Sequence, residues 1–203
     1  MTIEEIDLYW MKTEDLAKYL PSKGSAKAGA KSETELAEKL LRKAVRAVDC
    51  PEIDKKTAEA IDAVLSITTR LPESDPMQEK VAERLFEYGN PDADSPILIT
   101  SNSKLTQRIL KEIFDAAKVK AFVIPVETNG YTLDNSVATN TLTPMAVMKA
   151  INESGIAGKN SSRRAVLPGL AKDLKGNIER ITRWSLEVGP VSGYELPLYL
   201  LNR

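Results

Sequence analysis

Past residue 96 the chain falls into a rhythm that few folds accommodate: short unbroken apolar runs alternate with amphipathic segments of helical period. Ile97–Thr100 is one such run, and the stretch Leu105–Lys118 after it places Leu105, Ile109, Leu110, Ile113 and Phe114 on one helical face. Ala121–Val126 is a second run. Thr143 then caps a helix opened by Pro144, which continues through Met145, Met148 and Ile151 to Gly155. Arg164–Leu167 and Ser185–Val188 complete the series. Strands too apolar to face water, separated by helices, imply parallel pairing through right-handed crossovers. The expected fold class is α/β, with an N-terminal helical module followed by a Rossmann-like, mostly parallel sheet domain.

The first ninety residues carry the helical period alone. Ile6, Leu8, Tyr9, Leu16 and Leu20 form an interrupted stripe over residues 3–20, ending at Pro21. Residues 22–31 are small and basic and read as a loop in which Lys23, Lys27 and Lys31 are solvated. Ser32 and Glu35 make a capping box, after which Leu36, Leu40, Leu41, Val45 and Val48 share a face up to the stop at Cys50-Pro51. Asp54 caps a helix whose buried face is Ala58, Ile61, Val64 and Leu65. A further helix is expected from Asp75 as cap and Pro76 as first residue, burying Met77, Val81 and Leu85. Turn formers at 88–96 mark a boundary, giving three expected segments: 1–53, 54–88 and 89–203.

Composition narrows function. The chain has no histidine and one cysteine, which removes conventional zinc and haem sites and the nucleophile triads. With 28 basic and 29 acidic residues no long-range field favours nucleic acid or anionic lipid. The start is acidic where a secretory signal is basic, and no run of eighteen apolar residues occurs. The expectation is a cytoplasmic protein with neither nucleic-acid nor membrane partners. Cys50 reads as a small buried residue ahead of a proline.

Open parallel sheets bind ligands beyond the carboxyl ends of their strands. Three loops should converge there: Thr100–Lys104, Glu127–Thr143 and Pro168-Gly169. Thr100, Ser101 and Asn102 read either as caps for the next helix or as one wall of a pocket. The middle loop is long enough to hold a lid or a short helix. Glu127, Asp134 and Glu153 lie near this edge without the spacing of an acid–base pair, and Met145 and Met148 read as core.

Two stretches resemble the large subunit of the corrinoid iron-sulfur protein, the methyl carrier of the acetyl-CoA pathway. One runs Gly89-Asn90-Pro91-Asp92-Ala93-Asp94-Ser95-Pro96-Ile97-Leu98-Ile99-Thr100-Ser101-Asn102 and on to Lys104-Leu105-Thr106, a phrase shared with mercury-methylating corrinoid proteins. It continues through Thr128-Asn129-Gly130-Tyr131-Thr132, Val166-Leu167-Pro168-Gly169 and Val188-Gly189-Pro190, covering residues 89 to 203. The other joins Lys18-Tyr19-Leu20-Pro21 to Asp49-Cys50-Pro51 and resembles that family's small cluster domain. The family's long barrel domain has no counterpart between them.

The resemblance implies a corrinoid (cobalamin) cofactor contacted by Thr100, Ser101, Asn102, Thr106, Gly130, Tyr131, Thr132, Leu133, Asn135, Ala138 and Gly169. Asn135 falls where the family places a threonine beneath the cobalt. It also implies a barrel-type corrinoid partner subunit or methyltransferase covering the opposite face, with this chain acting as carrier or accessory subunit rather than free-standing enzyme. Of the four cluster-ligand positions, Ser25, Ala28 and Glu33 occupy three and Cys50 the fourth, so no iron-sulfur cluster is expected. Val137-Ala138-Thr139-Asn140-Thr141 stands where the family has Ala-Ala-Gly-Lys, a difference that favours a cofactor-less paralogue as the alternative.

Overall fold

A computed structural model describes residues 10–68 and 77–203, which form two compact units. One comprises the described residues up to 68 together with 192–203, and the other comprises 77–191. The segment expected as a connector, 54–88, is thus shared between them.

In the first unit α1 (Thr13–Ala17) is the described part of the expected N-terminal helix; Ile6, Leu8 and Tyr9 lie outside the described residues. Residues 22–31 form the expected loop, closed by backbone pairing of Ser25 with Ala30. Ser32 caps α2 (Glu33–Leu41) by accepting from the Glu35 amide at 3.2 Å. The expected continuation of α2 to Val48 is not found. Lys43 takes a left-handed φ of 56°, Lys43 N donates to Leu40 O at 2.8 Å, and Ala44 N donates to Lys39 O at 2.9 Å. This is a Schellman ending built on lysine, without the glycine that announces one in a sequence. Val48 is 44% exposed, in a short 3-10 turn over 47–49 whose first amide is taken up by Asp62 at 2.7 Å. Helix α3 (Lys55–Leu65) matches expectation, with Asp54 as cap and Ala58, Ile61, Val64 and Leu65 buried. The chain's last helix, Leu196–Leu201, packs on α3. Just ahead of it, buried Glu195 accepts from Tyr19 Oη at 2.9 Å and from Lys18 Nζ at 3.2 Å. Burial and that carboxylate hold the Tyr19 phenol well above its ordinary range.

The second unit is α/β. Its five strands are β1 (Phe86–Tyr88), β2 (Ile97–Ser101), β3 (Ala121–Val126), β4 (Arg164–Leu167) and β5 (Ser185–Val188), in the order β1-β3-β2-β4-β5. All neighbours are parallel except β1, which runs antiparallel to β3 at the edge. The expected helix after Asp75 is not there: Asp75 and Pro76 lie outside the described residues, and residues 77–85 form an extended strap leading into β1. Met77 is 77% exposed. Val81 and Leu85, four apart, suit a helix or a strand, and the backbone settles it by bonding to the corner between β2 and the next helix. Val81 N donates to Asn102 O at 3.0 Å, and Lys104 N donates to Glu79 O at 2.8 Å.

Helix α4 (Lys104–Ala117) follows β2, α5 (Leu133–Ala138) and α6 (Pro144–Glu153) follow β3, and α7 (Lys175–Thr182) links β4 to β5. Side chains alternate along each strand, so Ile97, Ile99, Phe122, Ile124, Ala165 and Leu186 point to one face. There they join Val147 and Ile151 of α6, Ile178 of α7 and Trp184 in one core. The other face meets α4, where Tyr88 packs edge-on against Phe114 at 5.3 Å. Met145, expected in the core, is 61% exposed; Val147 takes its place. No helix among the described residues is long and apolar enough to cross a membrane.

Candidate functional site

Because β3 and β4 flank β2 on opposite sides, the crossovers leaving β2 and β3 diverge to opposite faces and leave a crevice at the carboxyl ends of β2 and β4. All the expected site residues lie on strand ends, loops or the first turns of helices at this edge, or on the short α5. They divide into an inner and an outer tier.

The inner tier is Thr100, Ser101, Asn102, Thr106, Gly130 and Thr132, all buried. Asn102 organises it. Its Oδ1 accepts from Thr128 N at 3.1 Å, Thr128 Oγ1 at 3.0 Å and Gly130 N at 3.2 Å, and its Nδ2 donates to Glu127 Oε2 at 3.1 Å. Every side-chain polar atom of Asn102 is therefore engaged within the protein. Ser101 Oγ donates to Thr106 Oγ1 at 3.2 Å, and Ser101 O accepts from Gln107 Nε2 at 2.8 Å. Gln107 Oε1 is buried with no partner among the described residues. Gly130 has a φ of 77°, and a Cβ there would lie 1.9 Å from Gln78 O. Its cradle is filled by the strap. Thr128, buried and bonded to both Asn102 and Tyr131 O, was not among the expected site residues; its hydroxyl ahead of an Asn-Gly turn is the signal in the sequence.

The outer tier faces solvent. Tyr131, Leu133 and Asn135 are half-buried and Ala138 is exposed. Asn135 Nδ2 donates to Thr132 Oγ1 at 3.1 Å, while its Oδ1 accepts from no described residue. Helix α5 packs against the 3-10 turn Gly169–Leu174 after β4. Gly169 N donates to Pro190 O at 3.0 Å, and a Cβ on Gly169 would meet Gly189 O at 2.8 Å, so the glycine lets the loops after β4 and β5 touch backbone to backbone. Around that contact Leu170, Val188 and Val191 are 38%, 40% and 56% exposed. In the sequence Leu170 and Val191 did not stand out, and Val188 did only as the end of an expected strand and the start of the Val188-Gly189-Pro190 phrase.

Glu127 rims the edge. Burial alone would raise its carboxyl pKa, but Lys80 Nζ at 3.0 Å, the Asn129 amide and the Asn102 side chain hold it below the ordinary carboxylate range. No group of three or more metal-ligating side chains occurs among the described residues.

Ser25, Ala28, Glu33 and Cys50, which the resemblance sets against cluster ligands, lie in the first unit. Ser25 is buried, and its Oγ donates to Glu52 Oε2 at 2.7 Å. Glu52 Oε1 accepts from Ala26 N at 3.1 Å, and Ser25 Oγ accepts from Ala28 N at 3.4 Å. The buried Cys50 Sγ donates to Arg46 O at 3.6 Å, and Glu33 opens α2. One thiol, one hydroxyl, one methyl and one carboxylate do not match the four thiolates of a [4Fe–4S] cage.

Residues 56–200 match the family model of the CO dehydrogenase/acetyl-CoA synthase delta subunit. The chain belongs to this family. Among its relatives, the acetyl-CoA decarbonylase/synthase complex subunit gamma of Methanopyrus kandleri is 34% identical over 63% of this chain and 28% of its own length. The subunit of the same name from Methanocaldococcus jannaschii is 34% identical over 64% of this chain and 27% of its own. The corrinoid/iron-sulfur protein large subunit of Moorella thermoacetica is 26% identical over 55% and 25%. The chain thus spans about a quarter of the length of these relatives. The family match contains both tiers of the strand-end site, and the positions Ser25, Ala28, Glu33 and Cys50 lie outside it.

Proposed function

We propose that this member of the CO dehydrogenase/acetyl-CoA synthase family is a corrinoid-binding or corrinoid-derived accessory subunit of one-carbon, methyl-transfer metabolism. The observation that carries the reading is the outer tier. It offers a corrinoid what a flat, amide-rimmed macrocycle needs: exposed apolar surface at Ala138, Leu170, Val188 and Val191, with the Asn135 amide oxygen, which no described residue engages, on the same short helix as Ala138. The inner tier holds that surface in place and does not itself contact a cofactor. Of the eleven residues implied by the family resemblance, contact therefore falls to Tyr131, Leu133, Asn135 and Ala138, with Gly169 supporting from behind. When bound, the corrinoid supplies the methyl-carrying chemistry. The chain's part is to cover one face, to hold a rim amide through Asn135, and to keep water from the apolar patch. With no histidine, the cobalt takes no imidazole from this chain. A barrel-type partner subunit or methyltransferase would close the opposite face.

The test is retention of the corrinoid. Purified protein incubated with hydroxocobalamin, methylcobalamin or cob(I)alamin and freed of excess should keep a visible corrin spectrum, alone or with a barrel-type partner. Loss of all corrin absorbance under oxidising and reducing conditions defeats the carrier reading.

A second reading, a cofactor-less assembly or regulatory subunit using the same edge for docking, is favoured by one observation: Val137-Ala138-Thr139-Asn140-Thr141, on the outer tier, lacks the Gly-Lys of the resembling family's loop helix. In that case the spectrum is lost while binding to the barrel partner persists. In either reading the N-terminal module is structural, held by the Ser25–Glu52 contact instead of a cluster. Stoichiometric iron and acid-labile sulfide after anaerobic reconstitution would overturn that assignment.

A further inference from the structure

At the opposite edge of the sheet, where β4 and β5 begin, the second unit has a cleft of about 480 Å³ that the strand-end site does not use. Its volume lies in the range of small-molecule sites. Its accessible apolar lining is the exposed Ala157 and the small uncovered part of Trp184; Asn152 and Thr182 add polar groups; and the exposed Arg163 and Arg183 also line it. Ser185 N donates to Arg163 O at 2.9 Å, which ties the backbone of Arg163 to the strand that begins two residues past Arg183.

The charge balance of this cleft is positive. No carboxylate lines it, and neither arginine has a carboxylate partner among the described residues. The acids on the adjoining helices are engaged elsewhere. Glu153 pairs with Arg84 at 3.8 Å and Lys149 at 3.9 Å, and Glu179 Oε1 accepts from Leu186 N at 2.8 Å. The bland role for arginines here is to offset the carboxyl ends of α6 and α7, each worth about half a negative charge. Two full positive charges exceed that. One carbonyl in the last turn of α6 is moreover already served by a hydroxyl, Ser154 Oγ donating to Ile151 O at 2.8 Å, and in the last turn of α7 Glu179 O accepts from the backbone N of Arg183 at 3.0 Å.

We propose that this cleft binds a small phosphorylated molecule, its phosphate between the guanidinium groups of Arg163 and Arg183 and its apolar part over Ala157 and Trp184. Paired guanidinium donors suit phosphate oxygens in bidentate fashion, and the apolar lining favours a phosphate ester over the free ion.

The test uses the full chain with adenosine 5′-diphosphate, pyrophosphate and adenosine as probes, by calorimetry and amide chemical shifts. Adenosine 5′-diphosphate should bind saturably, tighter than about 1 mM, shifting the amides of Arg163 and Trp184. Both arginines hold left-handed φ values, 51° and 61°, so Arg163→Asn with Arg183→Asn removes the charges while suiting the backbone. With the melting temperature retained, this double variant should weaken the diphosphate at least about tenfold. Arg180→Gln, outside the cleft, should leave binding unchanged. Adenosine binding as tightly as the diphosphate, indifference to the double variant, or an equal loss in Arg180→Gln overturns the proposal. Pyrophosphate matching the diphosphate overturns its apolar half.

Discussion

Two loops in this chain are each gathered by a single acceptor side chain, and they are built on opposite principles. In the first unit Glu52 takes hydrogen bonds from Ser25 Oγ and Ala26 N, and it is exposed and charged. In the second unit Asn102 takes three, from Thr128 N, Thr128 Oγ1 and Gly130 N, and it is buried and neutral. Removing a buried acceptor strands its donors away from water, whereas the Ala26 amide, near the surface, finds solvent instead. The strand-end loop should therefore be a rigid part of its unit gathered by a group that does not titrate, and the 22–31 loop a local, pH-dependent clasp.

The largest effect belongs to the closest packing in the rigid loop. Gly130→Ala adds a Cβ 1.9 Å from Gln78 O at a φ of 77°, so backbone strain and displacement of the strap act together. A loss of about 3 kcal/mol is expected in urea unfolding. Should the variant unfold like the parent, the strap is not seated on Gly130 and the contrast between the loops loses its firm side. Asn102→Ala comes next. It leaves the amides of Thr128 and Gly130 without their acceptor, for about 2 kcal/mol. Most of that loss should persist at pH 4, because Asn102 itself does not ionise; only the part that runs through Glu127, whose carboxyl Asn102 helps hold down, should shrink as pH falls through its folded value.

Glu52 supplies the contrast. Ser25 Oγ, with help from the Ala26 amide, holds its carboxyl below the ordinary value of 4.5. A carboxylate lowered in the folded state contributes stability above its unfolded pKa and loses it as pH falls through the folded value. Below pH 4.5 the Ala26 amide should therefore lose protection relative to its intrinsic exchange while the sheet amides keep theirs. In Glu52→Gln that protection should be constant across the window. Several other carboxyls, Asp54 and Asp92 among them, are lowered too, so the amide of Ala26 is the probe, and global stability is not. Protection at Ala26 that ignores pH in the parent would remove the clasp.

How far these loops could be read from the sequence obeys the same division. The strands β3, β4 and β5 and helix α3 were legible because apolar pattern and cap agreed: Asp54 ahead of one amphipathic face, unbroken runs bounded by turns. The end of α2 was not, since Lys43 adopts the left-handed conformation ordinarily expected of glycine. Nor was β1, three residues long and preceded by a Val81–Leu85 spacing that a helix shares. At the site, Asn102 and Gly130 were recognisable as unusual, but the reason was not. A buried amide satisfied by a neighbouring loop and one aimed at a ligand have the same letters, and only the Thr128 and Gly130 partners distinguish them. The exposure of Val188 was unreadable because an apolar residue closing a strand is usually core, and that of Leu170 and Val191 because they lie in loops that carry no period. Glu52 gave no sign at all, since a solvated glutamate before a helix is ordinary.

The smallest effect sharpens the comparison from outside both acceptors. Lys80 and Glu127 are 47% and 57% exposed and meet at 3.0 Å, joining the strap to the loop that Asn102 gathers. An exposed pair of this kind contributes little after side-chain ordering and screening. The strap has stronger ties: Val81 N to Asn102 O, Lys104 N to Glu79 O, and the Gln78 backbone against Gly130. Lys80→Ala should therefore cost no more than about 0.5 kcal/mol. It should still register at Glu127, whose carboxyl loses one of the groups holding it down while keeping the Asn129 amide and Asn102, so its titration should move up toward the ordinary range. A titration that moves without a matching loss of stability is what a strap seated by backbone and packing requires. A Lys80→Ala penalty equal to that of Asn102→Ala would mean that charge holds the strap, and the strand-end loop would then be a clasp of the same kind as the one at Glu52.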